Sequence, residues 1–224
     1  MTPYLTVPFA LTNDSFDWLN NYLNPMVEEY QINATLASGL INFSNSQLQD
    51  IYSSTAWIEI VEYTTQLRLS NPRPQIFIYK RLQKPRPITL GNPHIDSYGN
   101  DGIGNIVAVR LNIMLRGEDS TEMVWWDKDR HDPDVVRTEF ARPDKSVHGR
   151  LQARGNCLAE QWQILGEPDF RATHLARVQE HASFVRTDVL HALNWAGNQP
   201  RVIFSVKFDD HSWEHIEQLR LESH

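Results

Sequence analysis

A single cysteine, Cys157, stands among 224 residues. An internal disulfide is therefore excluded, and the chain suits a reducing compartment. No apolar run approaches the ~20 residues that a membrane helix needs. The opening stretch MTPYLTVPFALTNDSF has neither a basic n-region nor a long apolar h-region, so no secretory leader is expected. Basic clusters are missing too. The 21 Lys and Arg are scattered among 28 Asp and Glu, for a net charge of −7, and this removes the usual electrostatic footprint of a nucleic-acid binder. Internal repeats and low-complexity tracts are absent. The expectation is a soluble cytoplasmic protein, with no membrane and no nucleic acid as partner.

Hydrophobic residues make up 41% of the chain and charged residues 22%. That balance is ordinary for a globular protein, and the length suits one domain over 1–224 with a sizeable core. The first third, 1–73, reads as mainly helical. Over 12–30, Asn13, Asp14 and Ser15 offer N-cap side chains, and Phe16, Leu19, Leu23, Met26 and Val27 recur at helical spacing. Pro25 interrupts that run, so two short helices are as well supported as one. A second helical segment spans 46–69, before the Asn71-Pro72-Arg73-Pro74 punctuation.

From 74 the character changes to strands. The segment 75–81 is aromatic and β-branched, bounded by Pro85 and Pro87, and 88–94 is a short apolar run. A Gly-, Asn- and Asp-rich loop covers 97–105. The run 106–115, IVAVRLNIML, is the strongest strand, followed by 122–126. The stretch 127–181 is polar and proline-bearing without clear periodicity, so it reads as an irregular insertion with one strand candidate at 158–165. Two strands at 189–195 and 201–208 flank a turn at 196–200, and 209–224 forms a tail. Helices followed by many short strands predict a mainly β fold, a sandwich or barrel with the N-terminal helices on one face.

Three residues stand out as a metal-ligating set: His94, Asp96 and His191. At the end of an extended strand, residues i and i+2 point the same way, so the imidazole of His94 and the carboxylate of Asp96 can reach one ion. Two imidazoles and one carboxylate with open positions opposite suit non-haem Fe(II). Taken alone, an H-x-D pair is expected about 0.6 times by chance in a chain of this composition, and His215-Ile-Glu217 is a pair of that accidental kind. What lifts the first pair is its position at a strand end before a polar loop, and a strand histidine far downstream. Ten residues beyond His191 lies Arg201, a candidate anion clamp; His131, His148, His174 and His181 have no Arg or Lys at that distance.

Together His94-Ile-Asp96, His191 and Arg201 resemble the 2-oxoglutarate/Fe(II)-dependent oxygenases over about 75–208. The resemblance implies a double-stranded β-helix of the jelly-roll or cupin-like kind. Iron would be held by His94, Asp96 and His191, and the far carboxylate of 2-oxoglutarate by Arg201. It also implies an oxygenase that consumes O2, yields succinate and CO2, and hydroxylates an unactivated C–H of a small molecule such as an amino acid. A peptidyl, prolyl-hydroxylase-like target is the alternative within the family. Outside it, the alternatives are a cupin-type metal enzyme and a non-catalytic β module. The Arg-x-Ser pair of one large branch is absent, since residue 203 is Ile; Ser205 shares the strand parity of Arg201 and could donate a hydroxyl instead. Asn112 and Tyr79 are further candidates for the co-substrate pocket. In the strong strand either the set with Arg110, Asn112 and Met114 or that with Leu111, Ile113 and Leu115 faces inward, and parity alone leaves both open. Arg142 and Arg150 are candidates for holding a substrate carboxylate.

Overall fold

The structure is a computed structural model that describes residues 2–33, 38–79, 93–98, 105–117, 122–141, 147–154, 157–158, 163–164, 172–177, 182–194, 200–208 and 211–222. The expected turn at 196–200, apart from Pro200, and Arg142, His181, Pro85 and Pro87 lie outside the described residues, as does most of the 88–94 run. In chain order the elements begin with β1 (Tyr4–Thr6), α1 (Asn13–Asn33), β2 (Ser38–Ile41), α2 (Asn45–Tyr52), α3 (Thr55–Gln66) and β3 (Pro72–Tyr79). Then come β4 (His94–Ile95), β5 (Ser97–Tyr98), β6 (Asn105–Ile106), β7 (Val109–Arg116) and β8 (Glu122–Asp129). The hairpin β9 (Val135–Ala141) and β10 (Val147–Ala153) follows, then β11 (Cys157–Leu158), β12 (Gln163–Ile164) and β13 (His174–Arg177). The last elements are β14 (Ser183–Arg186), β15 (Val189–Asn194), β16 (Arg201–Phe208) and α4 (Trp213–Glu222).

Helix α1 runs unbroken through Pro25. Pro25 is exposed, while Leu19, Leu23 and Val27 are buried on the opposite face. Packing of that face therefore outweighs the roughly 3 kcal/mol that an interior proline costs. The second helical segment is instead two helices. Ser44 caps α2 in a reciprocal capping box with Gln47, and Ser54 caps α3 by accepting from the Trp57 amide. A new cap inside the run ends one helix and starts the next.

Two antiparallel six-stranded sheets carry the fold, in the orders β1-β14-β7-β16-β3-β2 and β13-β8-β15-β4-β10-β9. This is the expected mainly β architecture, the double-stranded β-helix. The first sheet lays Ile76, Ile78, Leu111, Ile113, Val202, Phe204 and Val206 against the helices, where Leu19, Leu23, Trp57 and Ile60 complete the main core. Its other face meets the second sheet, and Met123, Trp125, Val185 and Val189 form the apolar cluster between them. The outer face of the second sheet buries Ile95, Val124, Trp126, Leu151, Leu190 and Ala192.

The stretch 127–181 departs from expectation. Within it, β9, β10 and β13 are three of the six strands of the second sheet, and β10 pairs directly with β4. What was read as an irregular insertion supplies a wall of the molecule; of the strand expected at 158–165, Leu158 lies in β11 and Gln163 and Ile164 in β12, which pair with each other, and the rest lies outside the described residues. On β10, Leu151 and Ala153 are the apolar, outward-facing residues, while Arg150 and Gln152 point between the sheets. Polar residues of β10 thus face the space between the sheets, which inverts the usual alternation.

One ion-dependent contact ties α1 to α3. Glu59 accepts from the Thr12 amide (2.9 Å), the Thr12 hydroxyl (2.7 Å) and the Ser15 hydroxyl (2.6 Å). Burial raises the Glu59 pKa, but these hydrogen bonds, with Ser15 foremost, outweigh it and leave the carboxyl below its ordinary value. A depressed carboxylate pKa stabilises the fold above the unfolded value and loses that contribution as pH falls through the folded one. Glu59→Ala is expected to cost about 1–2 kcal/mol at neutral pH and progressively less as acidification protonates the wild-type carboxyl, as thermal melts over a descending pH series would read.

Candidate metal centre and anion pocket

Strand β4 and the residue after it place the first two ligand candidates, and β15 places the third. His191 pairs with His94 across β15 and β4, which brings the two imidazoles together, tilted at 44° with ring centroids 4.7 Å apart. Asp96 is pinned through its backbone, its amide donating to the Thr187 carbonyl (3.0 Å) and its carbonyl accepting from the Val107 amide (3.0 Å). Asp96 Oδ1 lies 3.6 Å from His94 Nε2 and 3.8 Å from His191 Nε2, and one donor atom from each residue falls within 4.8 Å of the others. Those gaps are too long for good hydrogen bonds. Two donors each about 2 Å from one ion stand at most about 4 Å apart, so both separations suit a shared small cation.

The protonation states agree. The Nδ1–H of His191 donates to the Val189 carbonyl (3.0 Å), which leaves the Nε2 lone pair directed at Asp96. Burial pushes the His191 pKa down, towards the neutral, ligating form. Burial would raise the Asp96 carboxyl, but the Arg110 guanidinium and then the two imidazoles outweigh it and hold the group well below the carboxylate range. A neutral imidazole and an ionised carboxylate are the forms that bind a divalent ion.

Arg110 has no place in the set expected from sequence. It is 5% exposed; its Nε donates to Asp96 Oδ2 (2.5 Å) and its Nη1 to Gln75 Oε1 (2.8 Å), while Gln75 donates to Asn42 (2.7 Å). One carboxylate oxygen is thus fixed by Arg110 and the other is presented to the imidazoles. The available signal was an arginine inside an otherwise apolar strand, since a buried guanidinium needs a carboxylate. Arg110→Met is expected to weaken Fe(II) binding about 10- to 100-fold, as the iron-induced rise in melting temperature would report.

The register of the first sheet settles which β7 residues face the site. Ser205 pairs with both Asn112 and Gln75, and Arg201 pairs with Tyr79, so Arg110, Asn112, Gln75, Tyr79, Arg201 and Ser205 share the face turned to the second sheet. The Ser205 hydroxyl donates to Asn112 Oδ1 (2.7 Å) and both residues are buried. Ser205 is four residues along β16 from Arg201, a separation of roughly 13 Å. Arg201 is 1% exposed, and none of its three guanidinium nitrogens has a hydrogen-bond partner among the described residues. Its guanidinium carbon lies 5.4 Å from the centre of the Tyr79 ring. Burial pushes its pKa down to about 10. Asp188, a conceivable partner for Arg201, binds Arg186 instead (2.6 Å). Gly117, at φ +140°, packs on the Arg201 stem, and a Cβ there would stand 2.9 Å from Arg201 Cγ. An uncompensated buried guanidinium is costly unless an anion is meant to meet it.

No family model and no curated protein matches the chain. Solved structures do match. EvdO2 from Micromonospora carbonacea var. aurantiaca is similar with a TM-score of 0.57 and 9% identity, over 92% of this chain and 86% of that one. The same protein complexed with 2-oxoglutarate gives a TM-score of 0.56 and 11% identity over the same shares. A Pseudomonas putida prolyl-4-hydroxylase aligns over 95% of each chain at 11% identity, with a TM-score of 0.41. At these identities the likeness is one of fold. Among the described residues no helix is long and apolar enough to cross a membrane.

Proposed function

We propose that this protein is a non-haem Fe(II)- and 2-oxoglutarate-dependent oxygenase that hydroxylates an unactivated C–H of a small molecule such as an amino acid or its derivative. The observation that carries the proposal is the buried guanidinium of Arg201, without a hydrogen-bond partner among the described residues, facing the same interior as the His94, Asp96 and His191 donors. A bare metal site has no use for such a cation. A dicarboxylate co-substrate, chelating the metal at one end, does. EvdO2, whose fold this chain shares, has been crystallised with 2-oxoglutarate, and that likeness favours the same dicarboxylate here.

On this reading His94, Asp96 and His191 would hold iron. The bound iron supplies activation of O2 coupled to decarboxylation of the co-substrate to succinate and CO2. The chain's own residues bind and orient. Arg201 holds the far carboxylate by charge-assisted contacts that gain strength from the low dielectric. Tyr79 flanks that guanidinium, and the hydrogen-bonded pair Asn112–Ser205 forms part of the polar lining. Trp125, fully buried and paired in register with His191, walls the metal side and keeps bulk water from it. Arg110 keeps the Asp96 carboxylate ionised and aimed.

The test is an anaerobic titration with Fe(II) and then 2-oxoglutarate, followed by the visible charge-transfer band of the chelate. A band in the wild type that fades in Arg201→Ala is the expected result. Iron binding without a band would favour a cupin-type enzyme that makes no use of 2-oxoglutarate. Failure to bind iron would leave a non-catalytic β module.

A further inference from the structure

Arg150 brings a second guanidinium to the interior, from the opposite sheet. Strand β10 pairs with β4 so that Gln152 stands against His94 and Leu151 against Ile95; one step further, Arg150 comes level with Asp96. Leu151 packs into the outer apolar cluster, so by strand alternation Arg150 and Gln152 point to the side of the metal ligands. Its surroundings agree with that placement: burial lowers the Arg150 pKa, while Asp96 and Tyr79 act on it in the opposite direction. The guanidinium has no hydrogen bond and no ion pair among the described residues; the backbone pairs with Thr138 of β9, whose hydroxyl also donates to the Arg150 carbonyl.

The obvious anions are already assigned. Asp96 directs one oxygen to the imidazoles and the other to Arg110. On the function proposed above, the co-substrate's keto-acid end lies on the metal and its far carboxylate on Arg201, on the other sheet. Arg150 is half-buried, so a ligand arriving from outside can reach it. A planar guanidinium recognises a compact oxyanion in bidentate fashion.

We propose that Arg150 is the anion subsite for the primary substrate, which therefore carries a carboxylate or similar compact oxyanion displaced from the C–H that is attacked. This rests on the reading of the site as an iron and 2-oxoglutarate centre. It makes Arg150 a specificity residue: the anion anchors one end of the substrate beside Asp96 and leaves the other end free to meet the metal's open side.

The experiment loads the protein with Fe(II) and 2-oxoglutarate under argon, then titrates acetate and, separately, sulfate by calorimetry while the charge-transfer band is monitored. The two probes separate a planar from a tetrahedral oxyanion. Wild type is expected to bind one equivalent of at least one probe in the millimolar range. Arg150→Gln should bind it at least about ten-fold more weakly and Arg150→Lys at an intermediate level, with the band retained in all three, which also shows that the variants are folded. Equal binding by Arg150→Gln, or no saturable binding by wild type, overturns the proposal. So does loss of the band in Arg150→Gln with iron still bound, because Arg150 would then belong to the co-substrate. A wild type that gives no band removes the oxygenase reading itself, and this proposal with it.

Discussion

Arg201→Met is expected to leave the unliganded protein about 1–4 kcal/mol more stable than wild type while nearly abolishing its response to 2-oxoglutarate. The two effects have one origin. In the absence of an anion, the guanidinium is buried at 1% exposure with no hydrogen-bond partner among the described residues, so the native state bears its desolvation without return. Methionine keeps most of the stem that packs against Gly117 and the Tyr79 ring and removes the charge. With co-substrate present the balance reverses. Loss of one partner of a buried, hydrogen-bonded charge pair costs about 2–5 kcal/mol, roughly a 30- to 5,000-fold rise in Kd. Melting temperatures with and without 2-oxoglutarate, at saturating Fe(II), would show the crossover. A variant less stable than wild type in both states, with its 2-oxoglutarate affinity intact, would make Arg201 a packing residue and nothing more.

Asp96→Ala acts in the other direction. It removes the carboxylate shared by the two imidazoles and also strands Arg110, which is 6% exposed at its side chain. Removing one member of a buried pair costs about 3–5 kcal/mol, and the iron-dependent gain in stability should vanish with it. A second substitution separates these losses. Asp96→Ala combined with Arg110→Met should regain much of the stability, because no buried charge is left uncompensated, yet regain no iron binding. If Asp96→Ala still showed an iron-induced rise in melting temperature, the triad would not be the metal site.

Much of this site was legible because its parts obey rules that sequence carries. His94 and Asp96 sit at i and i+2 at a strand end, and Arg201 follows His191 by ten residues on the next strand; strand periodicity turns each spacing into a shared face. The long apolar run around Val109–Arg116 declared itself a strand, but its inward set, with Arg110 and Asn112, emerged only from pairing with β16 and β14. Arg110 went unassigned because its partner is 14 residues away across a gap that no periodicity spans. The strand β10 was hidden for a different reason. Its inward positions Arg150 and Gln152 are polar and its outward Leu151 and Ala153 apolar, so the alternation that marks a half-buried strand is present with its sign reversed. The break between α2 and α3 was invisible because Ser53 and Ser54 are weaker punctuation than proline or glycine, although Ser54 proves a competent cap.

The placement of the two anchoring elements on different sheets has a temporal consequence. His94, Asp96 and His191 all belong to the second sheet or its margin, Arg201 to the first, and the apolar cluster joining those faces is small beside the one beneath the helices. A dicarboxylate gripped at both ends is then a strut across the seam. Besides the backbone bonds of Asp96 to Thr187 and Val107, Arg110 ties β4 to the first sheet through the Asp96 carboxylate; a seated dicarboxylate would add a further brace. Since Arg150 rides on β10, the subsite proposed for it would acquire its shape only once the strut is in place. On the proposed function, loading is expected to be sequential, co-substrate first, and initial-rate patterns those of compulsory order; random-order kinetics would show that the seam is rigid from the start.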